Sequence, residues 1–238
     1  MLATQTRIPE PLVLIPGLNC TPALYAPQWP ALAPGRPILV AETTIDDTIA
    51  AIVERLLAAA PERFALCGLS MGGYVAFEVM RRAPERVTRL ALLDTTAKPP
   101  TPETNGPREQ MIALAEKGAF DNVVTLLWQK LVAPDRLTDE ALRLDVKAMA
   151  EAVGAAGFIR QQRAIMGRTD ARPVLAAISV PALVVVGAED AITPPDEARE
   201  IAAGIGAQAR YLEVPGCGHL STLEMPEIVT SSLLEWLD

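Results

Sequence analysis

Short apolar runs recur along the chain, and helical patterns separate most of them. The runs are almost continuously hydrophobic, which is typical of parallel strands covered by helices on both faces. Strands are therefore predicted at Leu12–Ile15, Ile38–Val40, Phe64–Cys67, Leu90–Leu93, Ala182–Val186 and Arg210–Val214. Because these strands alternate with helices, we expect an α/β fold with an open, doubly wound, mostly parallel sheet of about six strands.

Four helical patterns flank these strands. One helix is predicted over 47–60 with Asp47 as its cap, and another over 70–83. Pro195 and Pro226 stand where proline is favoured, at the first positions of two more helices. In the last helix, five apolar residues are expected to face the core: Ile228, Val229, Leu233, Leu234 and Trp236.

The strand pattern is absent from the middle of the chain, where a Pro-rich segment over 98–107 precedes four helical patterns. These patterns lie at 108–117, 120–131, 138–152 and 157–167. We expect a helical cap subdomain at 98–172, inserted into an α/β core made of 1–97 and 173–238. The sequence leaves open whether the cap closes over a site as a lid or only packs on the sheet.

The chain length and composition fit one sizeable domain with an insertion, since the 238 residues are 50% hydrophobic. No apolar run approaches the length of about 18 residues that a membrane span needs. The first ten residues contain no apolar signal segment. We therefore expect a soluble, cytoplasmic protein with no membrane partner, and the pattern does not distinguish a monomer from a homodimer.

Charge and metal-ligand content exclude two further classes of function. The chain has 29 acidic and 21 basic residues and a net charge of −8, with no basic stripe, so nucleic acid is not an expected partner. Cys20, Cys67 and Cys217 lack the spacing of a disulfide framework or a zinc site, and the chain has one histidine. We expect free thiols and no bound metal.

The segment Gly68-Leu69-Ser70-Met71-Gly72 has the pattern GxSxG and lies between a predicted strand and a predicted helix. This context is typical of a nucleophile elbow, in which the serine occupies a strained turn. Its glycines would relieve crowding where other backbone segments come close. Ser70 is therefore the candidate nucleophile, and the alternative is an ordinary glycine-rich turn.

His219, the one histidine, lies in the loop after the last predicted strand. A lone histidine is more often a surface or core residue, but sites of open α/β sheets gather at this edge, so His219 is the candidate base. Asp190 is the expected carboxylate partner, because it follows the fifth strand and gives the chain order Ser, acid, His. Asp94, at the end of the fourth strand, and Glu189 remain alternatives.

Two backbone N–H groups are needed to stabilise an oxyanion. The expected donors are Met71, directly after the candidate nucleophile, and Leu18, in the loop after the first strand. Gly17 would let that loop approach the substrate. The alternative is that Pro16 and Gly17 form only an ordinary turn.

Three segments together resemble the α/β-hydrolase superfamily, in particular its small carboxylesterases, enol-lactonases and C–C hydrolases. They are GLSMGG around Ser70, VVVGAEDAITP around Asp190 and GCGHLSTLEMPE around His219. Residues 168–173 also resemble that family's return from the cap to the sheet. The resemblance runs from Leu12 to the last residue, except for the divergent helical block.

Two features depart from the family pattern. Many members have His-Gly where this chain has Pro16-Gly17, although a backbone donor is expected to survive this change. We also expect the family's leading antiparallel hairpin to be nearly absent, because few residues precede Leu12. A haloalkane dehalogenase is disfavoured, because it would have an aspartate in place of Ser70.

The resemblance implies a serine hydrolase that cleaves small carboxylic esters or lactones through an acyl-enzyme, without a cofactor. The catalytic residues would be Ser70, Asp190 and His219, and the substrate would be a small-molecule ester. The pocket is expected to be lined by Gly17, Leu18, Met71, Trp128, Ile192 and Leu220. Two alternatives remain: C–C bond hydrolysis or cofactor-free perhydrolysis with the same triad, and a ligand-binding receptor or regulator with little turnover.

Overall fold

Six strands form one sheet in residues 9–238, the part of the chain that the computed structural model describes. They are β1 (Leu12–Ile15), β2 (Ile38–Val40), β3 (Phe64–Leu69), β4 (Val87–Leu93), β5 (Ala182–Gly187) and β6 (Ala209–Val214). All neighbouring pairs are parallel, which confirms the predicted sheet. The expectations about a signal segment and a leading hairpin concern mainly residues 1–8, which lie outside the described residues.

The order of strands across the sheet is β2-β1-β3-β4-β5-β6, so the chain changes direction at β1. At such a switch point the loops that follow the two central strands diverge and leave a crevice at their carboxyl ends. The loop after β1 begins at Pro16, and β3 ends directly before Ser70. The fold therefore places the candidate oxyanion loop and the candidate nucleophile side by side at this crevice.

Helices connect the strands and fill the middle of the chain. Those in the described residues are α1 (Trp29–Leu32), α2 (Ile49–Ala59), α3 (Met71–Arg82), α4 (Pro102–Glu116), α5 (Phe120–Leu131), α6 (Glu140–Met166), α7 (Arg172–Leu175), α8 (Pro195–Ile205), α9 (Ser221–Glu224) and α10 (Pro226–Leu237). Short 3₁₀ helices occur at Pro22–Tyr25, Pro84–Arg86, Pro134–Arg136 and Gly206–Gln208. No helix between residues 9 and 238 combines the length and the apolar character needed to cross a membrane.

Two helix starts differ from the sequence-based expectation. Thr48, and not Asp47, is the N-cap of α2. It directly precedes the first helical residue, and its hydroxyl accepts a hydrogen bond from the N–H of Ala51 at 3.2 Å. Helix α4 begins inside the segment predicted to be a linker. Its start is stabilised by a reciprocal capping box between Thr101 and Thr104, and this capping allows a helix to form although the segment is rich in proline.

The helical insertion consists of α4, α5 and α6, and it contains no strand, as predicted. Helix α4 packs against α6, and α5 contacts both of them. Gly154 interrupts α6 with non-helical angles (φ 69°, ψ 167°). The two separate helical patterns predicted at 138–152 and 157–167 therefore correspond to the two halves of α6 on either side of this residue.

Apolar side chains cover both faces of the sheet, which is why its strands read as continuous hydrophobic runs. One face packs against α2, α3 and α8 through residues such as Ile52, Val75 and Ile201. The opposite face packs against the first 3₁₀ helix and α10 through residues such as Tyr25 and Leu233.

The inward face of α10 is narrower than expected. Val229, Leu233 and Trp236 are buried, and their spacing of four and three residues defines one stripe along the helix. Ile228 and Leu234 lie outside this stripe and are 42% and 38% exposed. The prediction that these two residues face the core was wrong.

Candidate active site

The turn between β3 and α3 holds Ser70 in a strained conformation, with φ 55° and ψ −113°. A Cβ at Gly68 would overlap the backbone of Gly72, and a Cβ at Gly72 would overlap the carbonyl of Ile15. Glycine is required at both positions because the backbone segments are in direct contact. The Thr95 hydroxyl adds a hydrogen bond to the Ser70 carbonyl at 2.8 Å. The geometry agrees with a nucleophile elbow and not with an ordinary glycine-rich turn.

Three predicted residues meet at this turn. The Nε2 atom of His219 lies 2.8 Å from the Oγ atom of Ser70, and its Nδ1 atom lies 2.7 Å from Oδ2 of Asp190. The Asp190 carboxylate also accepts hydrogen bonds from the N–H groups of Ile192 and Thr193, at 2.8 and 2.9 Å. Asp190 and His219 are buried. A continuous hydrogen-bonded chain therefore runs from a buried carboxylate to the serine hydroxyl.

The two alternative carboxylates do not reach the histidine. Glu189 is exposed, and its N–H is bonded to the loop before His219. Asp94 is fully buried, but its oxygens accept from the N–H of Gly187 at 3.0 Å and from the hydroxyl of Ser221 at 2.5 Å. Asp94 thus joins the end of β5 to the segment after His219, a bridging position that sequence reasoning did not anticipate.

A second buried carboxylate, Glu224, holds the histidine loop and was missed in the sequence. It accepts from the N–H groups of Gly218 at 3.0 Å and Leu220 at 3.1 Å, on either side of the histidine. It also accepts from the N–H of Ala133, in the insertion, at 2.8 Å. In addition, the N–H of His219 donates to the carbonyl of Leu131 at 3.0 Å. The only available signal was that Glu224 lies within the segment GCGHLSTLEMPE.

The expected oxyanion donors lie on the two segments that meet at the crevice. A Cβ added at Gly17 would stand 3.4 Å from the Cβ of Ser70, so the loop that carries Leu18 passes directly beside the candidate nucleophile. Met71 is the first residue of α3, where N–H groups have no partner within the helix. Both backbone positions are compatible with the predicted role.

The ionisation of the site follows from burial and from neighbouring charges. Burial lowers the pKa of His219, but the charge of Asp190 and the hydrogen bond to it outweigh burial and bring the pKa above its usual value of 6.5. Burial raises the pKa of Asp190, whereas His219 and two backbone N–H groups hold it below the usual 3.8. Burial and the nearby charge of Asp190 raise the pKa of Asp94 to about 8. Of these two aspartates, Asp190, which contacts the histidine, is therefore the one that ionises at lower pH.

A cavity of about 260 Å³ opens beside Ser70 and His219. Of the residues predicted to line it, Gly17, Leu18, Ile192 and Leu220 do so. Helices α4, α5 and α6 supply further lining residues: Thr104, Pro107, Arg108, Met111, Leu127, Lys130, Leu131 and Ile165. The insertion therefore forms a wall of the cavity in addition to packing on the rest of the chain.

Two predicted lining residues lie elsewhere. The side chain of Met71 is fully buried in the core below the turn, because it is on the inner face of α3. Trp128 is 5% exposed and packs in the core with Val146 and Met149. Its indole N–H donates to the carbonyl of Leu137 at 3.3 Å. The prediction for Trp128 was wrong because its neighbour Leu127, on a different face of α5, is the residue that reaches the cavity.

Comparison with known proteins identifies the family. The family model described as "Alpha/beta hydrolase family" matches residues 11–231, so the chain belongs to this family. A protein of Mycobacterium tuberculosis that is provisionally named a non-heme bromoperoxidase is 31% identical over 206 residues, which cover 82% of this chain and 74% of that protein.

Two solved structures are similar to this chain over most of their length. A thermophilic esterase from Thermogutta terrifontis, solved with malate bound, superposes with a TM-score of 0.87 and 26% identity, over 96% of this chain and 89% of the other. The enol-lactonase from Burkholderia xenovorans LB400 gives a TM-score of 0.85 and 26% identity, over 96% and 91% of the two chains. Ester-cleaving enzymes are thus among the structures that this chain resembles.

The positions of Trp128 and Leu127 lead to opposite expectations for two variants of α5. Trp128→Ala should lower the free energy of unfolding by about 3–5 kcal/mol, as loss of a core aromatic does, with no change in preference among ester chain lengths. Leu127→Ala should lower the free energy of unfolding by less than Trp128→Ala does. It should also shift the preference toward longer acyl chains, because Leu127 lines the cavity. Thermal melting and a chain-length series of p-nitrophenyl esters measure both effects. A changed preference in Trp128→Ala with an unchanged melting temperature would contradict this assignment.

Proposed function

We propose that this chain is a serine hydrolase of small carboxylic esters, including lactones. The observation that carries the proposal is the hydrogen-bonded chain from Asp190 through His219 to Ser70, with both contacts at 2.8 Å or less. A hydroxyl becomes a nucleophile when a base can take its proton as it attacks, and this arrangement provides such a base.

In the proposed reaction, the Oγ atom of Ser70 attacks the ester carbonyl while Nε2 of His219 accepts the hydroxyl proton. The N–H groups of Leu18 and Met71 stabilise the tetrahedral oxyanion. His219 then donates the proton to the leaving alkoxide, which departs as an alcohol or remains attached in a lactone. Water, deprotonated by the same imidazole, attacks the acyl-serine, and collapse of the second intermediate returns the proton to Ser70 and releases the acid.

The esterase and the enol-lactonase among the similar structures support ester cleavage as the reaction class. A second candidate reaction is perhydrolysis, in which hydrogen peroxide replaces water as the attacking group on the acyl-enzyme. The relative named as a non-heme bromoperoxidase favours this candidate, because hydrogen peroxide is the oxidant that peroxidases use. Both reactions would use the same serine, so the rate of peracid formation from acetate and hydrogen peroxide should be measured beside ester hydrolysis.

Replacement of the nucleophile tests the proposed function directly. Ser70→Ala should lower kcat for p-nitrophenyl acetate and butyrate by at least about a thousandfold, since the residual rate would come only from binding and the oxyanion hole. A serine-directed phosphonate should label the wild-type chain at Ser70, as mass spectrometry of its peptides can establish. Near-wild-type turnover in the variant, or labelling at Ser221, would contradict the proposal. A wild-type chain without turnover would favour a ligand-binding role.

The two buried aspartates should differ strongly when each is replaced by asparagine. Asp190→Asn should lower kcat by about four orders of magnitude, because the amide favours the wrong tautomer of His219. Asp94→Asn should lower kcat by less than about tenfold, because the isosteric amide can still accept from the N–H of Gly187. Steady-state kinetics and thermal melting of both variants separate catalysis from folding. The reverse ranking of the two variants would assign the acid role to Asp94.

The dependence of kcat/KM on pH should follow His219. The protonated imidazole cannot accept a proton, so activity should fall as the pH drops through the pKa of His219, with a midpoint above 6.5. In Asp190→Asn the residual activity should show a lower midpoint, because burial remains and the main charge that raises the pKa is lost. The measurement is unambiguous because the chain has one histidine. A rate that is constant from pH 5 to 8 would exclude a histidine base.

A further inference from the structure

The cavity beside Ser70 has an unusual charge for this chain. Its lining includes two cationic side chains, Arg108 and Lys130, and among its lining residues in the described chain there is no aspartate or glutamate. The whole chain is acidic, with 29 carboxylate side chains and a net charge of −8. The two cationic side chains in the lining therefore stand out from the acidic composition of the chain and favour an anionic ligand on their side of the cavity.

Arg108 on α4 is held by a neutral partner. Its Nη1 atom donates to Oε1 of Gln162 at 2.7 Å, and Gln162 is fully buried. Within residues 9–238, no carboxylate forms an ion pair with Arg108. A guanidinium has five N–H donors in a planar fork, and the contact to Gln162 orients that fork while most of its donors stay available.

A second guanidinium, that of Arg168, lines a neighbouring cavity together with Glu78 and Asp170. Arg168 lies over the ring of Tyr74, 4.5 Å from its centre, and Tyr74 also lines the cavity beside Ser70. Arg168 donates to the carbonyls of Lys98 and Ile165, which are neutral acceptors. Burial lowers the pKa of Arg108, Tyr74 opposes this effect, and the charge of Arg168 adds to it by a smaller amount. A bound anion would favour the charged form of Arg108.

Unpartnered polar atoms lie in the same region. Asn19 lines the cavity and is 7% exposed, and among the described residues neither its amide oxygen nor its amide nitrogen has a hydrogen-bond partner. The Nε2 atom of Gln162, beside Arg108, is also buried without a partner in the described chain. Buried polar groups are costly unless they form hydrogen bonds. Both side chains are neutral, so neither cancels the charge of Arg108.

We propose that Arg108 binds a carboxylate that the substrate carries apart from its ester group, so that the preferred substrates are anionic esters or lactones. The planar guanidinium matches a carboxylate in shape and can form two parallel hydrogen bonds with it. Lys130 is exposed and contributes to attracting such a substrate to the opening. The assignment of an ester group rests on the proposed function, whereas the carboxylate subsite rests on Arg108 and its surroundings.

Binding to a chain that cannot turn over tests the subsite independently of catalysis. In Ser70→Ala, adipate should bind at least tenfold more tightly than its neutral diamide, adipamide, by isothermal titration calorimetry. Adding Arg108→Gln should remove this difference. Adding Lys117→Gln, which removes an exposed positive charge of the insertion outside the cavity, should leave it unchanged. Equal binding of adipate and adipamide to Ser70→Ala would overturn the proposal without reference to any further variant.

Turnover of two matched esters then separates the subsite from the proposed function. The wild-type chain should hydrolyse mono-p-nitrophenyl adipate with a kcat/KM at least tenfold above that for p-nitrophenyl hexanoate. Arg108→Gln should lose this preference, because kcat/KM for the adipate ester should fall to about the value for the hexanoate, whereas Lys117→Gln should keep the preference. Hydrolysis of both esters without preference would overturn the subsite and leave the esterase function intact. Preferential binding of adipate through Arg108, with neither ester hydrolysed, would support the subsite and reject the esterase function.

Discussion

The tight contact between β3, α3 and β1 at the candidate nucleophile is the constraint on which the rest of the site depends. Gly68 lies against Gly72, and Gly72 lies against the carbonyl of Ile15, so no side chain fits between these backbone segments. This contact forces Ser70 into a positive φ and lifts its hydroxyl above the carboxyl edge of the sheet. The candidate oxyanion loop, the histidine and the cavity are all positioned relative to that hydroxyl.

The histidine loop depends on buried carboxylates that do not contact the imidazole. Asp94 bonds the segment after His219 to the end of β5, and Glu224 collects backbone N–H groups on both sides of the histidine. Burying a carboxylate is costly, and here each is offset by several hydrogen bonds. Only Asp190 among the three contacts the ring and has the largest effect in raising the pKa of His219, while Asp94 and Glu224 position the loop and raise that pKa by smaller amounts.

The strands and the core of the site could be predicted because each is encoded in a short stretch of sequence. Ser70 lies between Gly68 and Gly72, and glycine at these positions indicates that other backbone segments pack closely around the turn. The choice between Asp94 and Asp190 could not be settled, because both follow strands at the same sheet edge and only the fold of the loops separates them. The residues that line the cavity were more difficult to predict than the catalytic candidates. An amphipathic pattern indicates that Trp128 is buried, but it does not show which part of the protein Trp128 packs against. The position of Arg108 depends on how α4 packs against α6.

The hydrogen bonds between the insertion and the histidine loop limit how the chain can admit a substrate. His219 donates to the Leu131 carbonyl, and Ala133 shares the carboxylate of Glu224 with that loop. If α5 moved away as part of a rigid lid, the hydrogen bond from the N–H of His219 to Leu131 would break or the histidine loop would move with α5. Movement of the loop would disturb the contact between the imidazole and Ser70. Passage of substrate must therefore leave the end of α5 in place. The part of the cavity wall that α5 supplies is thus anchored to the loop of the candidate base by backbone hydrogen bonds.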